Sequence, residues 1–195
     1  MDRDDFIYEL KRKMVHLTSI IIVLTYYFYG KQPVLYLLTF YLIVTLELEY
    51  FRLEWGKKLP LFHSLFRAKE ADRMAGHVFF TIGCIIAISV FPQDIASAAI
   101  LMTTFGDASA ALFGKAFGRT WIPGLKNRAI EGCASEFIVD IVIGALFLEN
   151  WIVIFVMAFT ATFVETITNK MDDNLLIPLF SGFNGQLIVF LLTMI

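Results

Sequence analysis

The sequence predicts an all-α fold: a polytopic membrane bundle of about seven helices with its N-terminus in the cytoplasm. Three observations predict it. Hydrophobic residues make up 58% of the 195 and charged residues only 17%, with a mean hydropathy of +0.70, well above the mix usual for soluble domains. Apolar runs of about 15 to 20 residues follow one another along the chain, which soluble α/β proteins do not do. Lys and Arg, finally, alternate between rich and poor connections in the way the positive-inside rule demands.

The apolar segments run approximately from 14 to 30, 33 to 48, 77 to 92, 94 to 113, 132 to 149, 151 to 168 and 175 to 195. The first follows Lys11, Arg12 and Lys13 as a signal peptide would, but it lacks a small-x-small cleavage site and is expected to be retained. The fourth is expected to be broken at Gly106 and Asp107. Counted from the N-terminus, the connections hold four, one, six, none, four, none and one Lys or Arg, so alternate sides carry 15 and 1. That places the N-terminal segment, 49–76, 114–131 and 169–174 in the cytoplasm. Residues 49–76 mix Trp55, Leu59, Leu61, Phe62, Leu65 and Phe66 with Lys57, Lys58, Arg67, Lys69 and Arg73, and are expected to lie along the interface as an amphipathic element. With no repeat and no Pro- or Ser-rich linker, residues 1–195 read as a single integral membrane domain of bundled helices. The near-neutral balance of 16 basic and 18 acidic residues argues against a nucleic-acid partner. Cys84 and Cys133, without CxxC or CxxH spacing, read as packing residues.

Polar residues collect on the cytoplasmic face. Cations alone would follow from the positive-inside rule, but carboxylates would not. Asp107 lies deep in an apolar run, where an ionisable group is costly unless it is paired or faces a wet cavity. It reads either as a structural partner of Arg12 or another cation, or as a metal or phosphate ligand. "GKAFGR" at 114–119 is not a P-loop, because Ser109 stands where the first glycine would be and Ala116 follows Lys115. Gly114 and Gly118 read as a helix-packing pair or, with Lys115 and Arg119, as a phosphate cradle. Among Asp172, Asp173 and Asn174, one residue suffices as an N-cap. The surplus suits Mg²⁺, which takes one or two carboxylates and leaves its other positions to water and phosphates. Glu136 and Asp140, at i and i+4, repel unless a cation lies against them or one is protonated. A structural pairing and the ion path of a small transporter are both readings of that pair.

In order, Arg12-Lys13-x-x-His16, Glu49-x-x-Arg52, Gly106-Asp107-x-x-Ala110-x-x-x-Gly114-x-x-x-Gly118, Glu131-Gly132, Glu165 and Asp173-Asn174-x-x-Ile177-Pro178 resemble the CTP-dependent lipid kinase family. It includes dolichol kinase, phytol kinase and CTP-dependent diacylglycerol kinase, and is related more loosely to the phosphatidate cytidylyltransferases. The resemblance implies phosphoryl transfer from CTP to the hydroxyl of a polyprenol or dolichol-type lipid, or of a related isoprenoid or diradylglycerol, with Mg²⁺ or another divalent cation. It implies a multi-pass protein of the cell membrane or endoplasmic reticulum whose site faces the cytoplasm. Asp107, Glu131, Glu165 and Asp173 are the expected catalytic residues, with Glu131 or Glu165 as base, and Asp107, Asp173 and Asp172 are the expected metal ligands. Arg12, Lys13, His16, Gly114, Lys115, Gly118, Arg119, Lys126, Arg128 and Asn174 are the expected nucleotide and phosphate contacts. The chain departs from the family at Arg128-Ala129-Ile130-Glu131-Gly132-Cys133, where two hydroxyl side chains are missing, so Lys126 and Arg128 must compensate if those hydroxyls touch phosphate. A cytidylyltransferase making a CDP-lipid and an ion-coupled transporter are the alternatives.

Overall fold

A computed structural model describes residues 19–55, 74–125 and 128–194. Among them the chain is helical, and each of the seven expected apolar segments coincides with a helix. Helix α1 (Ser19–Tyr29) turns into α2 (Lys31–Trp55) at Gly30, whose φ of 79° is a backbone conformation that suits glycine. Helix α3 (Gly76–Val90) ends at Phe91-Pro92 and leads into α4 (Gln93–Leu101). The same helix continues through a π-helical turn, Met102–Gly106, into α5 (Asp107–Phe117). A loop leads to α6 (Ile130–Phe147), then α7 (Trp151–Ile167) and α8 (Asp173–Thr193).

Three helices, Lys31–Glu54, Gln93–Phe117 and Asp173–Thr193, are long and apolar enough to cross a membrane. Apolar surface is exposed elsewhere too: Phe155, Phe159 and Phe163 stack along the outside of α7 at exposures of 52 to 56%.

Helix α4 is the centre of the packing. Ile95, Ala96, Ala98, Ala99 and Ile100 are inaccessible, as is Met102 just beyond its end, and α4 is packed by α1, α3, α6 and α8. Helix α5, its continuation, packs chiefly on α6. Glycines set the closest approaches. A Cβ at Gly132 would lie 2.8 Å from the Ala110 carbonyl and 3.1 Å from the Gly114 Cα, and one at Gly185 would strike the Met157 sulfur.

Three sequence expectations change. The fourth apolar segment is not broken at Gly106 and Asp107; it runs on from Gln93 to Phe117, with the π turn absorbing the irregularity. The amphipathic element does not begin at 49, because α2 continues to Trp55. Buried Glu49 and half-buried Arg52 form an ion pair there at 2.6 Å, and Glu49 also accepts the Ala75 N–H at 3.0 Å, tying the end of α2 to the start of α3. Its remainder, 56–73, lies outside the described residues. The expected loop 114–131 is helical as far as Phe117 and again from Ile130. Between them Trp121 and Ala129 form an antiparallel bridge, with Ile122 N–H donating to the Arg128 carbonyl and Ile130 N–H to that of Thr120.

Candidate active site

The site is built where α5, α6, α7 and the start of α8 meet. Asp172 is the N-cap of α8. Its Oδ1 accepts the Asn174 N–H at 3.1 Å and the Asn174 Nδ2 at 2.7 Å. That leaves Asp173 as the first helical residue, where an anionic group also suits the helix dipole. Four residues beyond Asn174, Pro178 has no N–H to give the Asn174 carbonyl. Gly83 of α3 makes room at that point, since a Cβ there would come within 2.9 Å of the Asn174 oxygen and of Pro178 Cγ. The motif Asp173-Asn174-x-x-Ile177-Pro178 is therefore a helix start seated against the middle of α3.

Arg128 is brought by the bridged loop over the ends of α7 and α8. One guanidinium nitrogen pairs with Glu165 Oε1 and another lies 3.6 Å from Asp173 Oδ2. Asp107, at the start of α5, lies within electrostatic reach of both Arg128 and Glu165. Burial works against the charged guanidinium, but Glu165, Asp173 and Asp107 outweigh it and raise the Arg128 pKa above its ordinary value. Beneath Glu165, Glu136 and Asp140 occupy the inner stripe of α6 with Gly132 and Gly144. Both are inaccessible, and neither carboxyl has a hydrogen-bond partner; Glu165 Oε2 is likewise without one. Burying such groups uncompensated is expensive.

The structure brings together Asp107, Arg128, Glu165 and Asp173 from the expected set, and adds Glu136. Other expected residues have different work. Glu131 is turned to the loop, where its carboxylate accepts the Thr120 N–H at 3.0 Å. Its own backbone N–H is the main cause holding its pKa below the usual carboxylate range, burial opposing it and Thr120 adding to it. Gly114 faces Gly132 across the α5–α6 contact, and Gly118 is the C-cap of α5, its N–H donating to the Gly114 carbonyl at 3.0 Å. Lys115 and Arg119 are exposed at the end of α5. Arg12, Lys13, His16 and Lys126 lie outside the described residues.

Among the described residues, no three His, Cys, Asp or Glu side chains are grouped so as to hold a metal ion. The arrangement suits a cation that shares its shell with phosphate. Asp107 and Asp173 flank Arg128, and the orphaned, buried Glu165 Oε2 is an acceptor without a donor. Geometrically, then, the site is one guanidinium held among carboxylates at one end of an apolar bundle, able to exchange those partners for an anion and to accept a proton.

No family model matches the chain, and no solved structure matches it. It is 27% identical over 194 residues to the uncharacterized protein RP860 of Rickettsia prowazekii, covering 92% of this chain and 94% of that one. It is 26% identical to the CTP-dependent diacylglycerol kinase 1 of Saccharomyces cerevisiae over 71% of this chain and 50% of that one. It is 29% identical to a probable chloroplastic phytol kinase of Triticum aestivum over 64% of this chain and 46% of that one. The chain thus spans about half the length of these two kinases. Helical membrane character, the Gly106-Asp107 and Asp173-Asn174 blocks and these relatives agree: the chain resembles the CTP-dependent lipid kinases.

Proposed function

We propose that this chain transfers the γ-phosphoryl group of CTP to the hydroxyl of a membrane lipid alcohol, at the cytoplasmic face of the membrane. One observation carries the reading: Arg128 sits between Glu165 and Asp173 with Asp107 in reach, so the two motif blocks that resemble the family meet around one cation. Phosphoryl transfer needs positioning and charge neutralisation more than covalent help. Asp107 and Asp173 would hold Mg²⁺, which when bound would offset charge on the β- and γ-phosphates. Arg128 would leave Glu165 for a phosphate oxygen. Lys115 and Arg119, with Arg12, Lys13, His16 and Lys126, would steer and hold the rest of the triphosphate. Glu165, once released, accepts the proton of the acceptor hydroxyl as its oxygen attacks the γ-phosphorus and the bond to the β-phosphate oxygen breaks, with CDP leaving. The acceptor class is a polyprenol or dolichol-type alcohol, phytol-like isoprenoid or diacylglycerol; the last two are in the names of relatives.

The experiment is a transfer assay with purified protein, CTP labelled at the α or the γ position, Mg²⁺, and a panel of those lipids. Label from the γ position, and not the α, is expected on the lipid. Lipid carrying α label together with pyrophosphate would make it a cytidylyltransferase. CTP-independent ion flux in vesicles, with no transfer, would make it a transporter.

A further inference from the structure

The π turn at Met102–Gly106 lies between the core of the bundle and Asp107. A π turn takes up one residue more than an α turn, so the helix beyond it is rotated by about 100° from the face it would occupy without the interruption. Asp107 is the first residue so rotated. Polar side chains support the turn. Thr103 and Thr104 donate their hydroxyls to the Ala99 and Ile100 carbonyls at 2.8 and 3.1 Å, Ser19 meets Thr104 at 2.8 Å, and Ser109 donates to the Gly106 carbonyl at 2.8 Å. Against the last residue of the turn sits Asp140. A Cβ on Gly106 would come within 2.6 Å of Asp140 Oδ1 and 3.2 Å of its Oδ2, and Asp140 is 0% exposed with neither oxygen hydrogen-bonded.

We propose that Asp140 is a positioning residue: seated against Gly106, its side chain holds the π register that turns Asp107 toward Arg128 and Glu165. The π turn is the rarer form, so the segment needs a neighbour that favours it over a continuous α-helix. A glycine is needed at 106 because any side chain would contest that space. Asp140 acts by shape, without touching nucleotide or lipid. The inference rests on Asp107 being part of the reacting centre, as the proposed function has it.

The test is a set of variants assayed for γ-phosphoryl transfer, with yield and thermal midpoint measured for each. Asp140→Ala is expected to lower kcat by more than about 100-fold, since a displacement of about 1 Å already costs that much and the lost rotation moves Asp107 further, and to raise the Mg²⁺ requirement with KM for lipid little changed. Asp140→Asn, of the same shape, is expected to retain transfer. Gly106→Ala is expected to lose it, and the double variant Gly106→Ala with Asp140→Ala, which relieves the contact without restoring register, is expected to stay inactive. Full kcat in Asp140→Ala, or recovery in the double variant, would overturn the proposal by reducing the contact to packing. A second readout needs no activity. In a Cys84→Ala, Cys133→Ala background, Asp107→Cys should react with a water-soluble thiol reagent and lose that reactivity when Asp140→Ala is added; unchanged reactivity would count against the rotation. If the parent protein transfers no label at all, the functional reading fails, while the thiol experiment still decides whether Asp140 sets the register.

Discussion

Asp172 and Asp173 are neighbours with different duties, and the difference can be measured. Asp172 caps α8 through Oδ1, so Asp172→Asn should be nearly silent, Asn being as good a cap, whereas Asp172→Ala should cost about 1 kcal/mol of stability. Asp173 faces Arg128 at 3.6 Å. Asp173→Asn should therefore abolish transfer or raise the Mg²⁺ requirement while leaving the unfolding midpoint nearly intact; an active variant with an unchanged requirement would remove Asp173 from the metal site. Arg128→Gln is expected to behave differently from both, losing transfer and also about 3 to 5 kcal/mol of stability, because it strands the buried Glu165 carboxylate. Glu131 has a pH signature. Its folded pKa is lowered, so its clamp on Thr120 stabilises the loop above the ordinary carboxylate range and is lost as pH falls through the lowered value. A change in tryptophan emission from Trp121 over that acid range, missing in Glu131→Gln, would register the release. Sequence reading could name Asp107, Glu165 and Asp173, since carboxylates deep in or bordering apolar runs announce themselves. It could not pair Arg128 with Glu165, which stand 37 positions apart. Nor could it choose which of two adjacent aspartates caps the helix, because either would fit the cap.

At the scale of elements, small residues decide where the carboxylates stand. The choice between packing and phosphate readings of Gly114 and Gly118 is answered in part by Gly132: α5 and α6 approach so closely that a side chain at 132 would meet the Ala110 carbonyl. Gly132→Val should force the helices apart, lowering the thermal midpoint by the equivalent of about 1 to 3 kcal/mol and reducing transfer more than the loss of folded protein explains. A variant with normal stability and activity would show that this contact bears no weight. The helices themselves were legible from hydropathy, and their ends less so. Asp107 after Gly106 suggests a break because both residues disfavour a helix interior, and only hydroxyls one turn earlier, with an acid from another helix, reveal a π turn instead. Likewise Glu49 and Arg52 look, in sequence, like exposed charges at the start of an interfacial element; burial against Ala75 is a tertiary fact that composition does not carry.

For the molecule as a whole, the charge alternation of 15 against 1 makes a prediction about sidedness. Cysteines at Gln93 and Asn150 should be labelled from one side of the membrane and a cysteine at Lys170 from the other, after Cys84 and Cys133 are replaced by Ala. Labelling of 93 and 170 from the same side would undo the proposed orientation and the single-faced site together. Depth along the bundle has a further consequence. Since Gly83 meets the Asn174 carbonyl, the start of α8 lies seven residues below the start of α3, about 10 Å at the rise of an α-helix, and Asp107 lies ten residues, about 15 Å, below the end of α5. A lipid alcohol keeps its hydroxyl at the level of the headgroups, with its chain in the hydrocarbon. Under the proposed function it can meet the γ-phosphate without being lifted out of the bilayer, and the journey falls to the water-soluble donor, whose triphosphate must pass the projecting start of α3 and end of α5 to reach Asp107 and Arg128.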